Sequence, residues 1–292
     1  MLMATSDIAL IRQRFAETIR DRAHVRTEAL VVALASIARE RFLGDGPWHI
    51  GFFVGRSPHY RISETANPAE VYCDNVIAID RARGLNNGEP SSLVRWIDAF
   101  ALKPGQTVVH VGTGTGYYTA LLAHVVGRTG RVFGYEMDPD LASRAQENLA
   151  EFPWVKMASG NSYDVPSDTA DAIFVNCGVT HPAKSWIASL RAGGTLLLPV
   201  TASQPGDGFG SGAMYLVKRM DTQFCLAYLS GVGIFNCVGQ RDERLNVLLL
   251  SKRGGDWSAP RQLRLDDHRV EDSCWLHRDN CCYSTRPVTN AA

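Results

Sequence analysis

Residues 107–117 read Thr-Val-Val-His-Val-Gly-Thr-Gly-Thr-Gly-Tyr. The first five are mostly β-branched, which predicts a short buried strand over 107–111. The alternating glycines Gly112, Gly114 and Gly116 predict a turn whose backbone can approach a ligand closely. The apolar residues that follow predict a helix over 117–126, and the start of a helix offers unpaired N–H groups. Because ligands of open α/β sheets bind outside the carboxyl ends of the strands, this turn is the predicted binding site.

Strand-like and helix-like stretches alternate on the C-terminal side of this turn. The pattern predicts strands over 131–136, 155–158, 170–176 and 195–200, with helices over 139–152 and 182–190. Two further strand-like runs, 213–219 and 223–232, predict a hairpin around residues 220–222. The sequence therefore predicts an α/β fold, a doubly wound and Rossmann-like sheet of seven mostly parallel strands that ends in an antiparallel hairpin.

The two ends of the chain differ from this central pattern. Helical periodicity predicts helices over 5–24, 27–42 and 91–102, whereas residues 48–90 are predicted to be irregular. Residues 243–292 contain one apolar run and a polar tail, which we interpret as a C-terminal β extension. The predicted organisation has three parts: N-terminal helices with a loop region over 1–103, a ligand-binding core over 104–235, and an extension over 236–292.

The composition limits the classes of partner and location. Hydrophobic residues make up 45% of the 292 residues, and 30 basic residues balance 30 acidic ones. This balance predicts no nucleic-acid partner and no membrane partner, because both attract an excess of positive charge. No run approaches the roughly 18 apolar residues of a membrane span, and residues 1–26 lack the pattern of a signal peptide. With seven scattered cysteines that we expect to be reduced, the sequence predicts a cytoplasmic protein.

A group of metal-ligand residue types occurs near the C-terminus. Cys274, His277, Cys281 and Cys282 lie close together in sequence. Zinc sites usually combine one tight Cys-x-x-Cys pair with a second such pair, and the sequence has no second pair. The spacing therefore predicts no metal site.

The residues around the glycine turn indicate which ligand it binds. Glu136 follows Gly116 by 20 residues, at the end of the next predicted strand, where a carboxylate can accept hydrogen bonds from ribose hydroxyls. The dinucleotide fingerprint G-x-G-x-x-G would place its third glycine at Tyr117. The observed spacing G-x-G-x-G is the form usual in methyltransferases, and it favours S-adenosylmethionine as the cofactor.

Several stretches together resemble the protein-L-isoaspartate O-methyltransferase family. The resemblance covers about residues 30–235 and implies a class I methyltransferase that uses S-adenosylmethionine and releases S-adenosylhomocysteine. The stretches, in chain order, are 38–42 (ARERF against the family's PRExF), 71–74 (VYCD against AYxD), 111–117 (VGTGTGY against IGTGSGY), 127–132 with Glu136, 160–162 (GNS against GDG), 171–175, and 190–200 (LRAGGTLLLPV against QLxxGGxLVxPV).

The resemblance implies a set of cofactor-binding residues. They are His110, Gly112, Thr113, Gly114, Gly116, Tyr117, Glu136, Met137, Asn161, Ser162 and Asn176. Two of them depart from the family pattern. His110 stands where the family has an acidic residue, and either a water-linked contact or simple packing would account for it. Asn161 replaces an aspartate, and its side-chain oxygen can still accept a hydrogen bond from an adenine amino group.

The loop that holds the methyl acceptor in this family departs further. The family's GQTISxP corresponds to residues 84–90, GLNNGEP, so Asn86 and Gly88 replace its two hydroxyl residues. Asn86, Gly88 and Ser91 are therefore the candidate acceptor-site positions. Ser91 and Ser92 could supply a hydroxyl, although capping of the following helix is the interpretation we favour. The altered loop predicts that ordinary isoaspartyl peptides are poor substrates or none.

The implied reaction is methyl transfer to a carboxylate on a peptide or protein. A carboxylate is already ionised near neutral pH, so the reaction needs alignment and exclusion of water rather than a strong base. Adenine-amine methyltransferases carry an Asn/Asp-Pro-Pro-Tyr-like motif after the fourth strand, where this chain has NCGV at 176–179. The alternatives are a methyltransferase for a specialised peptide or a small-molecule acid, and a non-catalytic relative that binds the cofactor.

Overall fold

The computed structural model describes residues 5–54, 57–160, 168–278 and 280–288. The chain forms two compact units. The first unit comprises residues 1–106 and 113–160, and the second comprises residues 107–112 and 161–292. The three-part division predicted from the sequence stays a prediction.

The secondary structure is mixed throughout the described residues. The helices are α1 (Thr5–Ala23), α2 (Glu28–Ser36), α3 (Pro90–Asp98), α4 (Tyr117–Val126), α5 (Pro139–Asn148), α6 (Lys184–Ser189) and α7 (Glu243–Ser251). The strands are β1 (His49–Val54), β2 (Ser57–Ile62), β3 (Ala78–Asp80), β4 (Leu85–Asn86), β5 (Thr107–Val111), β6 (Arg131–Glu136), β7 (Val155–Ser159), β8 (Ala170–Val175), β9 (Leu190–Ala202), β10 (Phe209–Met220), β11 (Gln223–Phe235), β12 (Gln262–Arg264), β13 (Cys274–Arg278) and β14 (Cys281–Ser284). No helix in the described ranges is both long and apolar enough to cross a membrane.

The N-terminal helices share the core of the first unit with α4. Helix α2 packs against both α1 and α4, and its Leu30 and Leu34 are buried. The helix predicted over 27–42 is shorter than expected. It ends at Ser36 because Ile37 takes an extended conformation (φ −83°, ψ 122°), and a single 3₁₀ turn, Arg39–Phe42, follows.

Residues 48–90 contain short strands, so the prediction of an irregular region was wrong. β1 and β2 form an antiparallel hairpin, and β3 pairs with β4. Ile50 of β1 bridges to Ile77, and both are buried in a cluster with Leu43, Trp48 and Val71. The sequence did not reveal these strands because they are short and their stability comes from this cluster rather than from a sustained apolar pattern.

The first unit also contains the βαβ element that follows the glycine turn. β6 and β7 pair in parallel from Val132 opposite Val155 to Glu136 opposite Ser159. Between them, α5 begins after Asp138, whose side chain accepts hydrogen bonds from the backbone N–H of Asp140 (3.0 Å) and Leu141 (2.9 Å). This N-cap, two residues after Glu136, fixes the start of the helix at Pro139.

The second unit contains a sheet in the order β13-β14-β12-β11-β10-β9-β8-β5. β5, β8 and β9 are parallel, whereas β9, β10 and β11 form antiparallel pairs. The predicted hairpin is confirmed, with Met220 opposite Gln223. Seven strands, β5 to β11, fall between residues 104 and 235 in the described part of the chain, as predicted. The C-terminal extension adds β12, β13 and β14, and its apolar run lies in helix α7.

The packing of α2 on α4 leads to a prediction about truncation. We expect a fragment that begins at residue 100 to unfold at much lower urea concentration than the full chain, or not to fold. Losing Leu30 and Leu34 alone removes about 1.5–3 kcal/mol each, against a total stability of about 5–15 kcal/mol. Urea denaturation followed by circular dichroism measures this. An unchanged midpoint would show that residues 1–99 form a separate core.

Candidate functional site

The turn between β5 and α4 depends on glycine at its last position. Gly116 occupies the N-cap of α4 with a φ of 98°, in the left-handed region that side chains rarely adopt. A Cβ atom there would lie 3.0 Å from Cδ1 of Leu149, the residue at the C-cap of α5. The backbone N–H of Gly116 donates to the carbonyl of Thr113 (3.0 Å), and the N–H of Thr113 donates to the carbonyl of Tyr135 (3.3 Å). One hydrogen bond within the turn and one to β6 therefore stabilise its conformation.

Glu136 ends β6 beside this turn. The backbone N–H of Gly114 donates to one carboxylate oxygen (2.7 Å), and the N–H of Asp138 donates to the other (3.1 Å). The residue is 9% exposed. Burial raises the pKa of Glu136, while the backbone hydrogen bonds from Asp138, Gly114 and Met137 act in the opposite direction. A carboxylate has about four lone-pair positions, so Glu136 can accept further hydrogen bonds from a ligand.

Two further predicted cofactor residues, Met137 and Tyr117, differ in their exposure to solvent. Met137, the residue after Glu136, is 40% exposed. The ring of Tyr117 is buried and makes edge-on contacts with Phe42 (5.5 Å between centroids) and Tyr118 (5.2 Å). Burial raises the pKa of Tyr117 to about 12. Its side chain thus belongs to the core, and its place in the predicted set is at the backbone of the turn.

Three other predicted residues lie in the second unit. Asn176 follows β8, its backbone N–H donates to the carbonyl of Val111 (2.8 Å), and its side-chain amide donates to the carbonyl of Gly112 (3.3 Å). A Cβ atom on Gly112 would lie 3.1 Å from the carbonyl oxygen of Asn176. The close approach of the two backbones joins the ends of β5 and β8.

His110 is a packed histidine. It is fully buried within β5 and stacks on Phe174 of β8, with 4.8 Å between ring centroids and 11° between planes. Burial lowers the pKa of His110 to about 3, so the ring is neutral at physiological pH. Of the two interpretations that the sequence left open, this environment favours packing. The remaining predicted cofactor positions, Asn161 and Ser162, lie outside the described residues.

In the first unit, two side chains form hydrogen bonds with the backbone of Gly88 in the acceptor loop. The side-chain oxygen of Asn86 accepts a hydrogen bond from the N–H of Gly88 (2.9 Å), and the hydroxyl of Tyr118 donates to the carbonyl of Gly88 (3.4 Å). Gly88 has a φ of 78°, and a Cβ atom there would lie 2.8 Å from Cδ1 of Leu93. Glycine at this position is thus required by the conformation of the loop.

The two serines after this loop do not cap α3, so the capping prediction was wrong. The helix begins at Pro90, and Glu89 occupies the N-cap position without a side-chain cap. The hydroxyl of Ser92 donates to the Glu89 carboxylate (2.6 Å). Ser91 is buried, and its backbone N–H donates to the carboxylate of Asp74 (2.8 Å). Proline fits the first helical position, which moves the start of the helix ahead of both serines.

Arg39 and Asp74 link the segment over residues 71–75 to the start of α3, and they were not among the predicted site residues. Arg39 is fully buried, and its guanidinium donates to the carbonyls of Val71 (2.6 Å), Cys73 (2.7 Å) and Asn75 (2.9 Å). Asp74 lies within that segment and accepts the N–H of Ser91. Both residues belong to stretches that carry the family resemblance, 38–42 and 71–74, and this is the signal by which the sequence could have identified them.

The chain is similar in sequence to known proteins of one family. The sequence model of the family described as "Protein-L-isoaspartate(D-aspartate) O-methyltransferase (PCMT)" matches residues 58–229. The chain is 32% identical over 141 residues to a protein-L-isoaspartate O-methyltransferase of Methanococcus aeolicus, a match that covers 46% of this chain. The match spans 64% of that relative, a little less than two thirds of its length.

Two solved structures have a similar fold. One is named protein-L-isoaspartate O-methyltransferase, with a TM-score of 0.59, 20% identity, and coverage of 83% of this chain and 69% of that one. The other is a protein from Plasmodium falciparum named as a β-aspartate methyltransferase (PCMT), in complex with S-adenosyl-L-homocysteine. It has a TM-score of 0.57 and 18% identity, and the match covers 78% of this chain and 98% of that one. At these identities the similarity establishes the fold, which is the predicted Rossmann-like α/β fold of these methyltransferases.

Proposed function

Because the chain belongs to the protein-L-isoaspartate(D-aspartate) O-methyltransferase family, we propose that it transfers a methyl group from S-adenosylmethionine to a carboxylate of a peptide or protein. The observation that carries this proposal is the Glu136 carboxylate, buried beside the glycine turn and bonded to the N–H of Gly114 at 2.7 Å. A buried carboxylate at the end of the strand after a glycine turn suits the ribose of a nucleoside cofactor.

The residues present fit this cofactor. We assign the ribose hydroxyls to Glu136, the adenine ring to the exposed side chain of Met137, and the adenine amino group to Asn161 and Ser162. We assign the methionine part to the backbones of Thr113, Gly114, Gly116 and Tyr117, and we keep Gly112 and Asn176 as the cofactor positions that the family resemblance implies. His110 is a neutral ring packed within β5 and receives no direct contact in this proposal. The cofactor supplies a methyl group activated on a sulfonium.

The proposed chemistry asks little of the side chains beyond alignment. A carboxylate acceptor is ionised near neutral pH, so the protein needs no general base. It must hold the acceptor oxygen in line with the methyl carbon and keep water away. We assign this task to the loop over residues 84–92, where the side-chain amide of Asn86 has two N–H donors for a carboxylate. Gly88 and Ser91 shape the loop through their backbones.

The substitutions in this loop set the substrate prediction. Asn86 and Gly88 replace two hydroxyl residues of the family pattern. We therefore propose that the pocket binds a carboxylate at a different distance from the substrate backbone than an isoaspartyl side chain gives. Ordinary isoaspartyl peptides should then be poor substrates. An assay with labelled cofactor and an isoaspartyl peptide tests this, with the matching aspartyl peptide as the control. Efficient esterification of the isoaspartyl peptide would show that the substitutions are neutral. Methylation of other carboxylates alone would support a specialised peptide or a small acid, and binding without transfer would indicate a non-catalytic relative.

The role of Asn86 has a prediction of its own. Asn86→Asp keeps a side-chain oxygen that can accept the N–H of Gly88, but it replaces both amide donors with a negative charge. We expect at least a tenfold loss of carboxylate methylation, because like charges repel, while the affinity for the cofactor stays unchanged.

Asn67→Asp is the matched control for this variant. Asn67 makes the same type of contact, since its side chain accepts the N–H of Ala69 at 3.0 Å, and it lies outside the acceptor loop. Equal activities of the two variants would remove Asn86 from the acceptor site. The cytoplasmic location and the absence of a nucleic-acid partner stay predictions from the sequence.

A further inference from the structure

Four metal-ligand side chains meet in the C-terminal extension of the second unit. They are His268, Cys274, His277 and Cys282, and one potential ligand atom from each lies within 4.8 Å of all the others. The set differs from the group that stands out in the sequence, because His268 takes part and Cys281 does not. Cys282 is fully buried, and the side chain of His268 is 8% exposed.

A β-bulge brings three of these residues to one face of the β13–β14 hairpin. Cys274 lies opposite Ser284 and His277 lies opposite Cys282, although Cys274 and His277 are three residues apart. The register shifts by one residue between them, at Trp275. Because Ser284 and Cys282 are two residues apart on β14, their side chains point to the same face, and the bulge places their partners on that face too.

His268 is oriented for ligation by the loop that precedes β13. Its Nδ1 lies 3.1 Å from the backbone carbonyl of Asp266 and 3.3 Å from the Asp266 carboxylate. Its Nε2 faces the sulfur of Cys274 at 3.7 Å. A metal-bound histidine typically donates its second ring N–H to a carbonyl or carboxylate in this way, which leaves the other nitrogen free to bind.

One of the four ligand residues carries an unsatisfied polar atom. Nδ1 of His277 is buried and has no hydrogen-bond partner among the described residues. The sulfur of Cys274 accepts the backbone N–H of Glu271 at 3.4 Å, a contact that stabilises a thiolate. A buried ring nitrogen without a partner is costly, and a metal ion bound through this nitrogen would remove that cost.

We propose that His268, Cys274, His277 and Cys282 bind a zinc ion as a tetrahedral Cys₂His₂ site. Tetrahedral geometry with ordinary zinc bond lengths separates a sulfur and a nitrogen ligand by roughly 3.6 Å, close to the 3.7 Å between Cys274 and His268. The more distant pairs, up to 4.8 Å, need to close by about 1 Å. Binding releases the two thiol protons of Cys274 and Cys282 to solvent.

This proposal departs from the sequence prediction of no metal. A zinc site with four protein ligands is closed and therefore structural. Its ligands come from the loop before β13 and from both strands of the hairpin, so the ion would fix the loop to the hairpin at the end of the second unit's sheet. The site lies outside the glycine turn, and the proposed methyl transfer does not depend on it.

Metal analysis of the full chain is the first test. We expect the protein, purified under reducing conditions without chelator, to contain about one zinc ion per chain when measured by inductively coupled plasma mass spectrometry. Cys274→Ser and Cys282→Ser should each lower the zinc content at least tenfold. Cys281→Ser is the matched control and should keep its zinc, because Cys281 is the adjacent buried cysteine on the same strand but lies outside the cluster. Protein without zinc, or full zinc in both ligand variants, would overturn the proposal.

Cobalt provides a second test that does not depend on how the variants fold. After removal of zinc by a chelator, titration of the wild-type chain with cobalt(II) should give the strong visible bands and thiolate charge-transfer absorption of a tetrahedral sulfur-containing site. The weak spectrum of octahedral cobalt would contradict the proposal.

Discussion

Glu136→Gln is expected to weaken the binding of S-adenosylhomocysteine roughly tenfold to a hundredfold. Glutamine keeps the shape of the side chain but has no charge and one fewer acceptor oxygen. A hydrogen bond to a charged group contributes about 1.5–3 kcal/mol, and each 1.4 kcal/mol changes the dissociation constant about tenfold. Titration calorimetry measures the effect directly, and Glu136→Ala should weaken binding at least as much.

Glu147→Gln is the matched control for this prediction. Glu147 is an exposed residue of α5, the helix that follows Glu136, and no hydrogen bond of its side chain to the glycine turn is present among the described contacts. Its affinity for the cofactor should equal that of the wild type. If Glu136→Gln also binds normally, Glu136 is not part of the site, and the proposed cofactor contacts of the turn need another anchor.

The region around the glycine turn was predictable because local signals agree there. The strand over 107–111, the helix over 117–126 and the strand over 131–136 have the bounds that the sequence predicted. Glycines lie at each point where the sequence pattern changes between strand and helix. The strands are largely buried on both faces, so their apolar residues follow one another without alternation. Such segments can be predicted from their local sequence, without information about the elements that pack against them.

Features that depend on contacts distant in sequence were not predictable in this way. The strands within residues 48–90 are stabilised by the cluster around Ile50 and Ile77, which no local pattern reveals. The metal-ligand cluster also needed the structure. His268 joins it from a loop, and the bulge at Trp275 reverses the facing that a spacing of three residues would give in a regular strand.

Gly88 shows how the structure changes the interpretation of a substitution. From the sequence, glycine at this position is a lost hydroxyl, and restoring serine would be the natural test. The positive φ and the 2.8 Å approach of a Cβ atom to Leu93 mean that Gly88→Ser would strain the loop whatever its hydroxyl did. Asn86→Asp, which preserves the backbone, is therefore the more informative variant for the acceptor site.

Arg39 connects two stretches of the family pattern in a manner that sequence alone could not show. Its three hydrogen bonds reach the carbonyls of residues 71, 73 and 75, which lie at the end of a 3₁₀ turn and in the bend that follows it. The chain curves around the buried guanidinium, which binds all three carbonyls. Asp74, held in this segment, then accepts the N–H of Ser91 at the start of α3. The chain of contacts runs from Arg39 to the end of the acceptor loop.

We expect Arg39→Met to destabilise the protein by about 3 kcal/mol, because it removes three charge-assisted hydrogen bonds and leaves buried carbonyls without partners. Methionine fills much of the same volume, so the loss comes mainly from the hydrogen bonds rather than from a cavity. The free energy of unfolding in urea measures the effect. Under conditions in which the variant remains folded, we expect the KM for the methyl acceptor to rise. The affinity for the cofactor should change little, because no hydrogen bond joins Arg39 to Glu136 or to the glycines of the turn among the described residues.

Arg41→Met separates this effect from the loss of any arginine in the same 3₁₀ turn. Arg41 is half-exposed and forms an ion pair with Glu151, an arrangement that contributes about 0–1 kcal/mol. Its variant should keep the stability and the acceptor KM of the wild type. If both variants lose the same stability, the three carbonyl contacts of Arg39 carry no special weight. Arg39→Met could instead lose stability and keep its acceptor KM. In that case the link through Asp74 to Ser91 is not needed for acceptor binding. The segment over 71–75 would then support the fold without positioning the loop.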